Sequence, residues 1–501
     1  MNRIYVNSNS ILKKQKNFWN SFLFHPTDGV EDDWGYKILK QISEDKASNM
    51  VRIYSMFEDI VSIDKNGNLC YDFTLNDIRI DRLLECGFIP LIAYCGIPAC
   101  IAEDPEMNNT NSHGWLRYKD KKFITSMPKD TALWEEICYE YTKHIVEKYG
   151  MEEVSRWYFT CLNEPDSPGY FLPYEKDEVK RASYNKMYDA FARGVDRVSS
   201  ELRIGGPTVS GEEDIELLDS FLKHIMETNT RLNFVSVHAY GTTPWHIRDG
   251  SRPFTIQNHF DRIHVYRDII NKYYPDGIEF VVDEWGACTN GYSQKSEYPE
   301  LNFRETPQFA AYFANMIAQY IYKESLIPSI LMICLSGQHT MKAEFEGFRN
   351  FFSLNFIRKP IYNGYILMNK IHENILESQT DIENLTLIPT KSEDDSLAII
   401  LSHAAEDFRE NLPTINDSLV IDGVNGEKKI TVWTIDNNNT FPYGEMLKKG
   451  YCEPLTKEQI EYLKDVSMLK PKTYTAEASG KLTVEIELAG NGIILVEVTN
   501  P

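Results

Sequence analysis

Positive charge is scarce in this chain. Across 501 residues, 52 lysines and arginines face 74 aspartates and glutamates, a formal net charge of −22. Nucleic acids and acidic membrane surfaces need a basic face, so the composition argues against both as partners and fits a neutral ligand. Long apolar runs are missing as well: nothing approaches the ~18 apolar residues of a membrane span. The start, Met1-Asn-Arg-Ile-Tyr-Val-Asn, lacks the apolar core of a signal peptide, and Lys13, Lys14 and Lys16 follow closely. Cysteine is present without organisation. Its nine copies (Cys70, Cys86, Cys95, Cys100, Cys138, Cys161, Cys288, Cys334, Cys452) are odd in number and scattered, several inside apolar runs. That pattern fits buried thiols in a reducing compartment better than a disulfide framework, so a cytoplasmic location is expected. No internal repeat or low-complexity tract is visible. His246, His259 and His264 lack metal-ligand spacing and lie in a polar stretch, which predicts surface residues and no metal. Arg203-Ile-Gly-Gly-Pro207 lacks the glycine spacing of a nucleotide site, and no cofactor is implied.

What is present is an ordinary globular composition, 42% hydrophobic and 25% charged. The length favours two units over one. From about residue 19 to 345, β-prone runs alternate with segments of helical period. The runs are Ser21–Phe24, Met50–Ser55, Phe88–Cys95, Arg156–Leu162, Arg203–Gly206, Asn233–Tyr240, Ile278–Glu284 and Ser329–Ser336. Thr131–Tyr149, Tyr184–Ser199, Asp214–Thr228 and Thr306–Tyr322 carry apolar residues at helical spacing. Such alternation implies parallel strands joined by crossover helices, and eight units predict a closed (β/α)8 barrel over residues 19–358. After Arg358-Lys-Pro360 the texture changes. A helix over Tyr362–Leu376 is expected, then short strands at Leu397–Leu401, Ser418–Ile421, Lys429–Thr434, Lys481–Leu488 and Gly492–Val498. Asp422-Gly, Ala478-Ser-Gly480 and Gly490-Asn-Gly read as the turns between them. Residues 359–501 thus predict a helix plus an antiparallel β-sandwich, and the segment 1–18 offers it a further strand through Arg3–Asn7.

Two of the barrel runs end in a glutamate: Trp157-Tyr-Phe-Thr-Cys-Leu-Asn163-Glu164-Pro165 and Ile278-Glu-Phe-Val-Val-Asp283-Glu284-Trp285. The C-terminal ends of barrel strands build the active face of this architecture. Cleaving an acetal at neutral pH needs one protonated and one ionised carboxyl, a division that environment can impose. Glu164 suits the acid/base: Pro165 stops the strand, and the Asn163 amide is placed to hold a sugar hydroxyl. Glu284 suits the nucleophile. Asn-Glu-Pro alone arises by chance in roughly one protein of this length in twenty, but its position after the fourth run, with Glu284 after the seventh, makes coincidence a poor account.

With these segments in view, the chain resembles glycoside hydrolase family 39, the clan A barrels known for β-xylosidases and α-L-iduronidases. The resemblance rests on Met50-Val-Arg-Ile-Tyr, Asp81-Arg-Leu-Leu-Glu-Cys-Gly-Phe-Ile-Pro, Asn-Glu-Pro165, Ile204-Gly-Gly-Pro-Thr208, Asn233-Phe-Val-Ser-Val-His-Ala-Tyr240, Asp283-Glu-Trp285 and Pro454-Leu-Thr-Lys-Glu-Gln-Ile-Glu-Tyr-Leu463. It implies acid/base Glu164, nucleophile Glu284, and His238 and Tyr240 at the sugar subsite. Arg52 would either support the nucleophile carboxylate or form a structural ion pair. Glu344 or Glu346 would match a sugar-binding glutamate after the eighth strand. The departures are Tyr54 for a histidine, Leu162 for a tryptophan, Asp283 for a threonine, and no tryptophan in Ile333-Cys-Leu-Ser-Gly337. They predict a small pocket whose walls, at Tyr54, Leu162 and Leu335, differ from those of a β-xylosidase. A uronic acid would need a fixed cation, for which Arg349 is the candidate. The expectation is a retaining enzyme that cleaves a terminal sugar from an oligosaccharide or glycoside, possible as a homo-oligomer. The alternatives are a non-catalytic carbohydrate-binding barrel and a transglycosidase using the same residues.

Overall fold

The structure, a computed structural model, describes residues 3–25, 29–108, 123–252, 254–291, 293–337, 340–407 and 410–501. Eight parallel strands close a barrel in chain order: β2 (Ser21–Phe24), β3 (Met50–Tyr54), β6 (Ile89–Tyr94), β7 (Tyr158–Cys161), β8 (Arg203–Val209), β9 (Phe234–Thr242), β10 (Glu279–Cys288) and β11 (Ile330–Leu335). The strand preceding them, β1, spans Ile4–Lys14, and a hairpin of β4 (Val61–Ile63) and β5 (Leu69–Tyr71) sits on the loop after β3. The outer ring is made by α1 (Asp33–Glu44), α2 (Thr74–Glu85), α3 (Thr131–Tyr149), the single turn α4 (Met151–Val154), α5 (Asp177–Asp196), α6 (Glu216–Thr228), α7 (Pro244–Asp249), α8 (Ile256–Tyr273) and α9 (Pro307–Tyr322). The strands are buried on both faces, which is why they read as continuous apolar runs. Met50, Leu91, Tyr158, Phe234, Val281, Ile330 and Met332 pack together from six strands and plug the barrel interior. Trp134, Tyr141, Phe191 and Phe313 belong to the larger core between strands and helices.

Two irregularities flank β9. Opposite its Val237–His238 step, β10 inserts Asp283 between Val282 and Glu284, and opposite Ser236–Val237, β8 inserts Thr208 between Pro207 and Val209. An extra residue on one strand breaks the strict in/out alternation and re-aims the side chains beside it. Thr208 has φ +55°. Both bulges lie where the barrel opens onto its C-terminal face.

Beyond the barrel, α10 covers Pro360–Met368, not Tyr362–Leu376. Asn369 ends the helix, its amide donating to the carbonyls of Lys46 and Ala47 at 3.1 and 2.7 Å. The residues expected to continue it begin β12 (Asn374–Thr380) instead, which pairs antiparallel with β1. The remaining strands are β13 (Leu385–Lys391), β14 (Leu397–His403), β15 (Ile415–Ile435), β16 (Lys472–Leu488) and β17 (Gly492–Thr499), with helices α11 (Pro442–Lys448) and α12 (Lys457–Ser467) between β15 and β16. Two expected strands are halves of the long β15, because Asp422-Gly423 forms a bulge in it, not a turn. Ala478-Ser-Gly480 likewise lies inside β16. The seven strands order β1-β12-β13-β14-β17-β15-β16, and a parallel β1–β15 pairing closes six of them into a ring. This region carries a core of its own, including Val6, Leu401, Leu419, Val484 and Val496. It docks on the barrel through α9, where the Ser402 hydroxyl donates to the Ala311 carbonyl at 2.9 Å.

Candidate active site

β7 stops at Cys161, and the chain then bends sharply. Leu162 and Glu164 both adopt the left-handed region, with φ +61° and +41°. Such backbone costs ~1–3 kcal/mol per residue and collects at functional sites. Here it is held by the Leu162 N–H donating to the Tyr94 carbonyl (2.9 Å) and the Glu164 N–H donating to the carbonyl of bulged Thr208 (3.0 Å). The result delivers Glu164 to the barrel mouth. From the other side the bulge in β10 lets two successive residues, Asp283 and Glu284, both reach the guanidinium of Arg52.

Arg52 is the hub. Its Nη1 donates to Glu284 Oε1 at 2.7 Å and its Nη2 to Asn163 Oδ1 at 2.7 Å, while Nε stands 3.2 Å from Asp283 Oδ2. The second oxygen of Glu284 accepts from the Tyr240 hydroxyl at 2.6 Å. His238 Nδ1 lies 2.8 Å from Glu164 Oε1 and 3.7 Å from Glu284 Oε2; its Nε2 lies 3.7 Å from Asp283 Oδ1. One oxygen of each glutamate and one nitrogen of His238 therefore sit within 4.8 Å of each other. A metal ion accepts such spacing too. However, both Glu284 oxygens are already engaged, and the Arg52 guanidinium stands where a cation's charge would fall.

The electrostatics of the site favour an ionised Glu284. Burial by itself pushes the Glu284 carboxyl up, but the charges of His238 and Arg52, the Tyr240 hydroxyl and Arg349 reverse this and hold it at about 2. It is ionised at neutral pH. Burial opposes charge on His238 as well, yet the surrounding carboxylates of Glu284, Asp283 and Glu164 raise it above an ordinary imidazole. Asp283 goes up, chiefly because it is buried.

Around the pair opens a cavity of about 530 Å³, walled in part by Glu164, Glu284, Tyr240, Arg349, His25, Tyr170 and Trp245. It exceeds the small pocket expected. Asn163, His238 and Arg52, at most 1% exposed, form a layer behind the carboxylates and are not among the lining residues. The same holds for Tyr54, Leu162 and Leu335, which are packed beneath the mouth and do not form its walls. Glu344 is not a wall residue either: its carboxylate turns back to accept from the Asn355 N–H (3.2 Å) and side-chain amide (2.5 Å). Glu346 caps its own loop, accepting from the N–H groups of Lys342 and Ala343 at 2.8 and 3.2 Å. Arg349 does face the cavity, its guanidinium 4.9 Å from the Tyr240 ring centre and donating to Ser336 Oγ and Cys334 Sγ. It occupies the cavity wall beyond the eighth strand, whose end carries no tryptophan.

The surface placement of the three histidines is corrected as well. His246 lines the cavity. His259 is fully buried on the inner face of α8, with Nδ1 on the Ala239 carbonyl (3.2 Å) and Nε2 at the Tyr320 hydroxyl (2.7 Å). His264 is half-buried against Glu324 at 2.8 Å. Three contributors were not anticipated. His25 and Tyr170, 3.4 Å apart, come from the ends of the first and fourth strands. His25 follows an apolar strand directly, which is the signal that marks it. Asp166, fully buried, accepts from the N–H and hydroxyl of Ser210 (2.8 and 2.7 Å) and the Gly211 N–H (3.0 Å), and burial pushes it up to about 6.

The family model described as glycosyl hydrolases family 39 matches residues 2–483. The chain belongs to this family. Among curated family 39 relatives, a beta-xylosidase of Caldicellulosiruptor saccharolyticus is 24% identical over 99% of this chain and 98% of its own length. An alpha-L-iduronidase of Canis lupus familiaris is 22% identical over 99% of this chain and 78% of its own. A monomeric beta-xylosidase structure from Caulobacter crescentus CB15 superposes with a TM-score of 0.82, covering 100% of both chains at 19% identity, a likeness of fold. Family 39 membership makes the chain a glycosidase by class, with a carbohydrate as its substrate. All nine cysteines are unpaired, five of them buried. Among the described residues, no helix is long and apolar enough to cross a membrane.

Proposed function

We propose that this chain is a retaining glycosidase that removes a terminal sugar, from a β-xyloside or a related pentose or hexose glycoside, by double displacement. The carrying observation is the approach of Glu164 and Glu284 to within 4.8 Å, oxygen to oxygen. Retaining pairs stand about 5–5.5 Å apart and inverting pairs ~6.5–9.5 Å, the latter leaving room for a water. In the first step Glu284 attacks the anomeric carbon, and the glycosidic oxygen leaves with a proton from Glu164. In the second, Glu164 takes a proton from water, whose oxygen displaces Glu284 and frees the sugar. The 2.8 Å contact between His238 and Glu164 orients the acid/base carboxyl. Arg52, Asn163 and Tyr240 hold the nucleophile ionised and aimed. A merely sugar-binding barrel has no use for a buried carboxylate kept at about 2. A transglycosidase would share the first step and differ only in its acceptor.

Arg349 supports a second reading, in which the sugar is a uronic acid and the guanidinium in the cavity wall meets its carboxylate. Aryl β-xyloside, α-L-arabinoside, β-galactoside and α-L-iduronide separate the two. A β-xyloside preference above about a hundredfold, ~2.7 kcal/mol in transition-state binding, would mean the altered wall is silent. The mechanism is tested by the anomer released first, read by NMR, and by labelling with a 2-fluoro glycosyl fluoride. Retention and a tag on Glu284 are expected; an inverted first product sinks the proposal.

A further inference from the structure

The cavity has a second, outer half that the reaction itself does not use. A single sugar ring seated on Glu164 and Glu284 does not fill about 530 Å³, a volume within the ~300–1,000 Å³ that holds drug-sized ligands. Trp245 is among the residues that line it. Its indole lines the cavity yet is 48% exposed, in a protein whose Trp19, Trp134, Trp157 and Trp285 are fully buried. What sets this exposed aromatic apart is its place on the lining of the cavity that holds Glu164 and Glu284.

The indole is also held in place. It stands at the start of the one-and-a-half-turn α7, where the Thr243 side chain accepts from the His246 N–H (3.1 Å), and Pro244 and Ile247 are buried. Arg248, one turn on, donates to the Glu297 carbonyl (3.1 Å), pairs with Glu300 (3.2 Å) and stacks over Tyr298 (4.8 Å). This ties the helix to the segment after β10, and Tyr298 and Glu297 line the same cavity. A rigid aromatic anchored from two sides loses little entropy on binding.

We propose that Trp245 is the platform of a leaving-group subsite, and that this subsite takes a neutral pyranose lying flat on the indole. The proposal rests on the glycosidase reading above. A pyranose presents an apolar C–H face to an aromatic ring and hydroxyls at its edge. Carboxylates are present to accept from those hydroxyls: Glu213 and Glu297 are exposed on the same lining, while Glu212 is occupied by Arg252 and Arg262 at 3.0 and 3.1 Å. The same carboxylates repel an anionic ring, so a uronate is disfavoured in this half whatever Arg349 does in the other.

The sugar that leaves in the first step and the sugar that could accept in the second occupy one site, so acceptor transfer reports on it directly. The donor is a glycosyl fluoride of the best sugar from the aryl glycoside screen, whose leaving group is too small to touch Trp245. Acceptors are D-xylose, D-glucuronate and phenol. D-xylose should intercept the glycosyl-enzyme in competition with water, and Trp245→Ala should lower the transfer-to-hydrolysis ratio about tenfold, with Trp245→Phe retaining most of it. Because the ratio compares two fates of one glycosyl-enzyme, it separates a lost subsite from a damaged enzyme. Unchanged transfer in Trp245→Ala overturns the proposal. So does interception by phenol or D-glucuronate in preference to D-xylose, which would assign the platform to an aromatic or anionic group. A wild-type protein that turns over no glycosyl fluoride refutes the glycosidase reading itself.

Discussion

Arg52 shows how one side chain organises a reaction centre. Its two terminal nitrogens donate to a carboxylate and an amide oxygen, and its Nε side ion-pairs with a second carboxylate, all buried. Removing it would take from Asp283 and Glu284 the guanidinium they share, a loss of ~3–5 kcal/mol for a broken buried pair. The two glutamates it helps to position should respond differently to removal. Glu284→Ala should abolish turnover of every substrate, since nothing else displaces the leaving group. Glu164→Ala should keep most activity on an aryl glycoside with a good leaving group and lose about 10²–10⁴-fold on a poor one. Azide should restore only the Glu164→Ala variant, as a glycosyl azide of retained configuration. Equal losses by Glu164→Ala on good and poor leaving groups would refute the acid/base role.

At the scale of elements, the site depends on where strands stop being regular. β10 without its bulge would point Asp283 and Glu284 to opposite faces, as alternation demands. The loop after β7 is tied to the loop after β8 by Asp166, which takes three hydrogen bonds from Ser210 and Gly211 while standing two residues from Glu164. Asp166→Ala should therefore orphan two buried N–H groups at a cost of about 1–3 kcal/mol. It should also loosen Glu164, lowering kcat on poor leaving groups more than on good ones. Thermal unfolding together with a leaving-group series reads both effects. A stability loss with no change in leaving-group dependence would make Asp166 a structural residue alone.

At the scale of the whole molecule, pH acts through buried groups. Burial lowers His259 to about 4, against ~6.5 in an unfolded chain. The unfolded state therefore binds a proton between pH ~6.5 and ~4 that the folded state refuses. Stability is full above that window and falls by about 3 kcal/mol on descending through it. Glu284 acts lower: its folded value of about 2 gives stability that is lost only as pH falls from the ordinary carboxylate range toward 2. Denaturant unfolding at pH 7.5 and pH 5 should show the first loss, and His259→Gln should flatten it. Parallel slopes in wild type and variant would assign the loss to other groups.

Much of this was legible in the residues alone, and for a local reason. A parallel strand covered on both faces must be an apolar run, so all eight barrel strands could be read to within a few residues, and Glu164 and Glu284 stood out at two of their ends. The polar strand β12, Asn374-Ile-Leu-Glu-Ser-Gln-Thr380, could not. That segment is a strand only because β1, some 370 residues earlier, pairs with it. The same distance in sequence hid the centre of the site. Arg52 meets Asn163 across 111 residues and Glu284 across 232, and no local pattern records such a meeting. The resemblance to family 39 could nominate His238, Tyr240 and one of Glu344 and Glu346 beside Asn163. Only the tertiary structure decided that Tyr240 faces the cavity, that Asn163 and His238 stand behind the carboxylates, and that Glu344 turns back to Asn355, because a side chain's depth below the barrel mouth and the path of a loop are set by partners distant in sequence.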